Sequence, residues 1–274
     1  MNFDKIENFR AFYEKVGDSY PEEDLVYRSL RGLLRKKFVL HYVEKSAGRF
    51  LDVGCNRGTY LKASSAFFKV GVDISFPALR IAKKQVDAMR LAQGDCQNLS
   101  FLKPGSFDFV LCSEVIEHVT APEEVIKGCF NLLKPGGRLL ITTPNYRNTK
   151  PTWVSIGEMA KYGLQGVKGE RYYHTAFRPE ELKALAEDAG FSAIQVGTLE
   201  KEVKYATRLP VLIFYIFYFL NKFTIRVNRL ESLNRKGLDF WSLRVYRLCS
   251  ALGLNDFFCS FVKEGVRTFM VAEK

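Results

Sequence analysis

The stretch FLDVGCNRGTY (residues 50–60) combines an apolar run, an acid and two glycines four positions apart. Gly54 and Gly58 allow a sharp turn and a close approach of the backbone to a ligand, and Asn56 is one of the few other residues that tolerate a left-handed conformation. Asp52 precedes this turn, where its carboxylate would repel a diphosphate but attract a ligand with a positive charge. The loop is therefore predicted to hold a cationic, nucleoside-sized group against its backbone amides.

Two further acids follow at the ends of later apolar segments. Asp73, in GVDIS, ends the next predicted strand about twenty residues on, where an acid can accept hydrogen bonds from ribose hydroxyls. Asp95, in QGDCQNL, could accept a hydrogen bond from an exocyclic amine such as that of adenine. Each acid taken alone is better explained as a helix cap. Their order behind the loop is what favours binding of a ligand.

Elements that could position these residues are visible in the apolar pattern. Residues 5–45 predict two or three amphipathic helices, broken at Gly17 and Pro21. From residue 49 onward short apolar segments typical of buried strands (RFLDVG, KVGVDI, FDFVLCSE and GRLLITTPN) alternate with helical segments. Such alternation predicts a parallel sheet covered by helices on both faces, with ligands at the carboxyl ends of the strands. The intervening helices are predicted to begin near Thr59, Pro77 and Pro122.

Composition limits the partners and the compartment. The net charge of +11 and the pI near 9.3 indicate an anionic partner, which could be nucleic acid, a phosphorylated substrate or an acidic membrane surface. The six cysteines show no CxxC spacing and lie mostly in apolar segments, which favours buried, reduced thiols and a cytoplasmic protein. The N-terminal MNFDKIENFR mixes both charge signs and is not typical of a signal peptide.

Taken in order, these segments resemble the class I S-adenosylmethionine-dependent methyltransferases over roughly residues 48–200. The matching segments are LDVGCNRG, GVDIS, GDCQNL, FDFVLCSEVIEHV, LLKPGGRLLITTPN and FRPEELKALAEDAGF. One departure is Asn56, where the family more commonly has glycine. The resemblance implies an α/β fold with a Rossmann-like, doubly wound, seven-stranded sheet and helices on both faces, plus N-terminal helices and a helical insertion before the last strand.

The resemblance also implies S-adenosylmethionine as the cofactor and a set of residues that bind it. The amino acid end of the cofactor would lie near Asp52 and Gly54, its ribose on Asp73, and its adenine beside Ile74, Asp95 and Cys96. The implied cofactor-binding residues are Asp52, Gly54, Cys55, Asn56, Gly58, Asp73, Ile74, Asp95, Cys96 and Ser113.

His118 is the predicted catalytic base. Methyl transfer from a sulfonium needs nucleophile, methyl and sulfur in line and water excluded, and a phenol or alcohol acceptor gains from a general base. The sequence has only three histidines, of which His118 follows the fourth strand in SEVIEHV, where this family places the floor of its active site. The alternative is that His118 only shapes the pocket.

A metal hypothesis arises from the same segment. Glu114, Glu117 and His118 form an ExxEH arrangement, and similar spacing binds a divalent ion in ubiquinone-pathway O-methyltransferases and in small-RNA 2′-O-methyltransferases. On one helical turn the three side chains would share a face and could converge on a cation, and His174 in RYYHTAFRPEEL could complete the set. Many methyltransferases with nearly the same residues use no metal, so a divalent metal is not the favoured cofactor.

A long insertion separates FSAIQVGTL, the predicted sixth strand, from GVRTFMVAEK, the predicted last strand. It contains the apolar run LPVLIFYIFYFL (residues 209–220), which is shorter than a membrane span of about 20 residues. Residues 201–274 carry 13 Lys and Arg against 6 Asp and Glu, a net of +7. Two interpretations stay open: a helical subdomain that packs on the sheet or on a second subunit, and a lid that touches an anionic membrane or admits a lipid. Nucleic acid is disfavoured because aromatic platforms and glycine-rich loops are lacking.

Four segments are predicted: an N-terminal helical cap (residues 1–47), a cofactor-binding core (48–204), an apolar and basic helical insertion (205–264) and the last core strand (265–274). The predicted activity is S-adenosylmethionine-dependent methyl transfer to a hydrophobic or lipid-linked small molecule, with a phenol or hydroxyl oxygen as the favoured acceptor. The protein is predicted to be cytoplasmic, with peripheral membrane association left open. Neither the identity of the acceptor nor the oligomeric state is predicted.

Three other functions fit parts of the sequence. The first is an RNA 2′-O-methyltransferase, and the second is a non-catalytic scaffold that binds the cofactor, which the intact Asp52, Asp73 and Asp95 disfavour. A nicotinamide-dependent oxidoreductase is disfavoured because Asp52 would face the pyrophosphate and the full glycine fingerprint is absent from the loop.

Overall fold

A seven-stranded sheet forms the centre of the protein. The computed structural model describes residues 9–19, 26–85, 89–155, 171–222 and 228–274. The strand order is β3-β2-β1-β4-β5-β9-β8; β1 to β5 run parallel, and β9 is antiparallel to β5. The seven strands are β1 (Arg49–Val53), β2 (Phe68–Asp73), β3 (Met89–Gln93), β4 (Phe107–Ser113), β5 (Leu133–Pro144), β8 (Ser192–Leu199) and β9 (Arg267–Glu273). A separate antiparallel pair consists of β6 (Trp153–Ser155) and β7 (Arg171–Tyr173).

The α-helices of the described residues are α1 (Phe9–Ser19), α2 (Leu30–Val43), α3 (Thr59–Ala63), α4 (Phe76–Gln85), α5 (Pro122–Leu132), α6 (Pro179–Ala189), α7 (Lys201–Ala206), α8 (Arg208–Leu220), α9 (Asn228–Ala251) and α10 (Asn255–Ser260). The helix starts predicted near Thr59, Pro77 and Pro122 are confirmed. The break predicted at Gly17 is wrong, because Gly17 lies inside α1, where a Cβ would come within 2.1 Å of Ser75 Oγ. Close packing of α1 therefore explains this glycine. The break predicted at Pro21 lies outside the described residues.

The central strands are buried on both faces. Leu51 and Val53 of β1 belong to one hydrophobic cluster, and Phe50, the residue before Leu51, belongs to another. Leu139 and Leu140 of β5 alternate between the two clusters in the same way. Since successive side chains of a strand point to opposite faces, helices must cover both sides of this sheet. The predicted Rossmann-like α/β class is confirmed.

The reversal of strand order fixes where a ligand is expected. The chain runs outward from β1 to β2 and β3, then returns to place β4 on the other side of β1. A crevice therefore opens at the carboxyl ends of β1 and β4, which is the usual ligand position in open α/β sheets. Asp52 and Ser113 lie at those two ends.

The chain divides into two compact units. The larger, here the core unit, comprises Met1–Pro21, Phe38–Gly197 and Arg267–Lys274. The smaller, here the helical unit, comprises Glu22–Lys37 and Thr198–Val266 and has its own apolar cluster around Leu30, Val203 and Ala206. Across the described ranges, no helix is both long enough and apolar enough to cross a bilayer.

Candidate active site

The loop between β1 and α3 has the backbone that its sequence predicts. Gly54 and Gly58 have φ values of +73° and +80°, and Asn56 adopts the expected left-handed conformation with φ of +45°. A Cβ on Gly54 would lie 2.2 Å from Val115 Cγ2, so no larger residue fits at that position. Asp52 is 1% exposed beneath the loop. The turn is thus built from residues that leave the backbone accessible to a ligand.

Asp73 holds this loop in place. Its Oδ2 accepts a hydrogen bond from the Asn56 amide, and its Oδ1 accepts one from the Ser75 amide, both at 2.8 Å. Burial raises the pKa of Asp73, whereas these backbone N–H groups favour the ionised form and act in the opposite direction. Each carboxylate oxygen has a second lone pair, so the side chain can also accept from a ligand hydroxyl.

The other predicted cofactor residues lie at the same edge of the sheet. The Ile74 carbonyl accepts from Gln93 Nε2 at 3.0 Å, and the exposed Asp95 accepts from the Gln97 amide at 2.9 Å. Ser113 Oγ lies 2.8 Å from Thr142 Oγ1. All six cysteines are free; Cys55 is buried and Cys96 is half-buried, and burial raises the pKa of both thiols. Cys55 and Cys96 therefore line the site as apolar, protonated groups.

His118 lies in a short 3-10 helix (Ile116–His118) directly after β4, surrounded by aromatic rings. Its ring makes edge contacts with Tyr13 and His174, at centroid distances of 5.6 and 4.8 Å, and stacks with Tyr172 at 6.4 Å. Its Nδ1 is buried and has no hydrogen-bond partner among the described residues. About a quarter of the side chain (26%) remains exposed, which leaves an approach for an acceptor.

Electrostatics keep the imidazole of His118 neutral. Burial lowers the pKa of His118, and the neighbouring His174 lowers it further. Glu117 is buried beside it, with Glu117 Oε1 4.0 Å from His118 Nε2. Burial and the nearby Glu114 raise the pKa of Glu117. A neutral imidazole is the form that can accept a proton or bind a metal ion.

The single helical turn expected for Glu114, Glu117 and His118 does not form. Glu114 follows the last residue of β4 and has a left-handed conformation, with φ of +58°. Its carboxylate pairs with Arg267 and accepts from Thr142 Oγ1 at 3.1 Å. The left-handed residue breaks the expected turn, and among the described residues Glu114 does not belong to the group of side chains whose ligand atoms converge.

Glu117, His118 and His174 do converge. Their potential ligand atoms all lie within 4.8 Å of one another. Thr143 Oγ1 donates to Glu117 Oε2, and His174 Nδ1 pairs with the Thr175 carbonyl, each at 3.1 Å. Such contacts orient metal ligands in proteins and leave Glu117 Oε1 and His174 Nε2 available. One carboxylate and two imidazoles fit zinc or a similar divalent ion.

Sequence reasoning missed several residues of this site. Tyr13 of α1 is buried against His118, and its hydroxyl has no hydrogen-bond partner in the described parts of the chain. Burial raises the pKa of Tyr13, and both Glu117 and Asp73 are close enough to raise it further. No local pattern marks such a residue. Tyr172 could have been found, because it lies two residues before His174 and alternate residues of an extended segment share a face.

Comparison with known proteins identifies the family. A family model described as a methyltransferase domain matches residues 27–196. The ubiquinone biosynthesis O-methyltransferase of Coxiella burnetii is 30% identical over 168 residues, which cover 60% of this chain and 71% of that protein. The protein of the same name from Ralstonia nicotianae is 33% identical over 177 residues, or 61% of this chain and 72% of that protein.

Solved structures share the fold. Phosphoethanolamine N-methyltransferase 2 of Haemonchus contortus, in complex with phosphomonomethylethanolamine and S-adenosylhomocysteine, has a TM-score of 0.56 at 20% identity. The match covers 97% of this chain but only 58% of that longer chain. An S-adenosylmethionine-dependent methyltransferase from Archaeoglobus fulgidus has a TM-score of 0.54 at 19% identity, covering 92% of this chain and 97% of that one. The chain therefore belongs to the methyltransferase domain family and is an S-adenosylmethionine-dependent methyltransferase.

Proposed function

We propose that this enzyme transfers the methyl group to a phenol or hydroxyl oxygen of a hydrophobic or lipid-linked small molecule. The observation that carries the proposal is the neutral, partly exposed His118 held beside Glu117 and His174 at the carboxyl end of β4. An oxygen acceptor must lose its proton during transfer, whereas a neutral amine can attack without a base. The O-methyltransferase names of the two relatives support the same acceptor atom.

In this proposal the loop from Asp52 to Gly58 and Asp73 bind the cofactor. The buried carboxylate of Asp52 attracts the positive end of the ligand, and Asp73 accepts from the ribose while it anchors the Asn56 amide. Ile74, Asp95 and Cys96 flank the adenine. Holding the sulfonium at this edge presents its methyl group toward an acceptor beside His118.

A divalent ion, when bound by Glu117, His118 and His174, would orient the acceptor oxygen and favour its ionised form. Dialysis against a chelator, followed by a return of zinc or magnesium, tests whether these residues use one. If they do, we expect turnover to fall by about tenfold or more in chelator and to recover with metal. Metal content measured before dialysis supplies an independent readout. Unchanged turnover and no bound metal would leave His118 as a base without metal.

Tyr13 is expected to contact the acceptor, because its ring contacts the His118 ring and its buried hydroxyl has no protein partner in the described residues. The Tyr13→Phe variant removes only that hydroxyl. Loss of one hydrogen bond to the acceptor should lower kcat/KM by roughly fivefold to tenfold while cofactor affinity stays the same. Tyr42→Phe, in the part of α2 that belongs to the core unit, is the matched control. Equal kcat/KM values for Tyr13→Phe and wild type would limit Tyr13 to packing.

A pair of acceptors tests the hydrophobic character of the substrate. We expect a catechol with a prenyl tail to be methylated at a higher kcat/KM than the same catechol without the tail. The tail would bury apolar area on binding, which lowers the free energy of the enzyme–substrate complex. A short RNA with free 2′-hydroxyls serves as the rival acceptor. Transfer to RNA with none to the catechols would replace the proposed substrate class with nucleic acid.

A further inference from the structure

Large apolar side chains are exposed almost entirely on the helical unit. Fifteen of the eighteen exposed large hydrophobic residues among the described residues belong to it, although it is the smaller of the two units. Monomeric soluble proteins seldom expose a contiguous apolar surface of this kind without a partner for it. Fourteen of the fifteen lie between residues 212 and 261, on α8, α9, α10 and the turns beside them.

Helix α8 shows the pattern most clearly. Its partly buried side chains, at Val211, Phe214 and Tyr218, form one narrow stripe along the helix. Helix α8 packs against α9. The rest of the helix surface is apolar and exposed, at Leu212, Ile213, Tyr215, Ile216, Phe217, Phe219 and Leu220. A helix at the surface of a water-soluble protein normally presents polar residues there. The outward face of α8 is therefore suited to an apolar environment.

Positive charge accompanies this surface. Arg208 and Lys222 are exposed at the two ends of α8, with no charged residue between them. On α9 the exposed Arg244 lies about one turn from Phe240 and the exposed Arg247 about two turns from it, and the Arg244 guanidinium lies 4.9 Å from the Phe240 ring centroid. Such arginines can bury their stems along apolar surface while their charged ends remain in water.

The balance of exposed charge selects the partner. Across the described side chains of the helical unit, eight Lys and Arg are exposed against one acid, Asp256. A second copy of this chain would bring the same positive charges together, whereas the anionic headgroups of a bilayer complement them. Helix α8 has 13 residues, which is too short for a span of about 20 residues but suits a helix lying in the headgroup region.

We infer that the apolar and basic surface of the helical unit, centred on Leu212, Ile216, Phe217, Phe240 and Trp241, docks the enzyme on an anionic membrane surface. Aromatic and aliphatic side chains would enter the boundary between headgroups and acyl chains, and Arg208, Lys222, Arg244 and Arg247 would contact the headgroups. Docking of this kind does not depend on the methyl-transfer chemistry. The His118→Ala variant is therefore expected to bind membranes like the wild type.

Flotation of the full chain with vesicles tests the inference. We expect binding to vesicles of phosphatidylcholine and phosphatidylglycerol to be at least about tenfold stronger than to phosphatidylcholine alone, and to weaken with added salt. The double variant Ile216→Glu, Phe217→Glu should lose binding by about tenfold or more, and Arg244→Ser, Arg247→Ser should weaken it to a similar degree. These side chains are exposed, so folding should be retained.

The matched control is Phe67→Glu, which changes an exposed aromatic residue of the core unit (82% exposed) and should leave vesicle binding unchanged. Sedimentation of the same proteins without vesicles tests whether a second copy of the chain covers this surface instead. A stable dimer that Ile216→Glu, Phe217→Glu dissociates, with no vesicle binding by wild type, would overturn the inference in favour of a second copy. Salt-sensitive binding to RNA but not to vesicles would overturn it in favour of nucleic acid.

Discussion

The His118→Ala variant is expected to lose about a hundredfold or more of its turnover with an oxygen acceptor while its affinity for S-adenosylmethionine stays close to that of the wild type. The substitution removes the neutral imidazole from the group formed with Glu117 and His174, and this imidazole is the proposed acceptor of the proton. The cofactor loop and Asp73 are unchanged. Steady-state kinetics and calorimetric titration of the cofactor measure the two quantities separately.

The control for this prediction is His41→Ala, which removes an exposed histidine on α2 that pairs with Lys45. It should leave kcat and KM unchanged. Thermal unfolding of both variants tests for loss of structure. A His118→Ala variant that is folded and turns over at the wild-type rate would show that His118 only shapes the pocket.

The second large effect is expected for Asp73→Ala, which should weaken cofactor binding by about 1 to 3 kcal/mol, or roughly fivefold to 150-fold. The variant loses two hydrogen bonds from backbone amides that fix the loop, and under the proposed function it also loses the ribose acceptor. Asp188→Ala, at an exposed position of α6, is the matched control and should bind the cofactor normally.

The anchoring role and the ribose role of Asp73 can be separated with a cofactor product that lacks one hydroxyl. Wild type should bind S-adenosylhomocysteine more tightly than its 2′-deoxy analogue, whereas Asp73→Ala should bind the two with nearly equal affinity, as in a double-mutant cycle. If the variant discriminates as strongly as the wild type, Asp73 anchors the loop and does not contact the ribose.

Much of the core could be predicted because the apolar pattern of each segment agrees with its buried position in the fold. The apolar runs around Leu51 and Val110 become strands buried on both faces, and Asp52 and Ser113 at their carboxyl ends lie at one edge of a parallel sheet. The left-handed conformation of Asn56 followed from its side-chain chemistry. The structure of these segments could be predicted without knowledge of their contacts with distant parts of the chain.

The remaining features depend on contacts that a local pattern does not contain. Gly17 suggested a helix break, but it allows α1 to approach Ser75. Glu114 suggested a metal ligand, but it pairs with Arg267, a residue of the last strand that only the β5–β9 register brings to it. Tyr13 lies outside the segment that matches the family model and reaches His118 only in the folded chain.

The most direct test of the proposed reaction is to offer the enzyme a prenyl-tailed 2-aminophenol with trideuteromethyl-labelled S-adenosylmethionine and to locate the label by tandem mass spectrometry. Oxygen and nitrogen then compete on adjacent ring carbons of one molecule. We expect the label on the phenol oxygen, because His118 and its neighbours assist an acceptor that must lose a proton. A label found on nitrogen would contradict O-methyl transfer as the reaction of this enzyme.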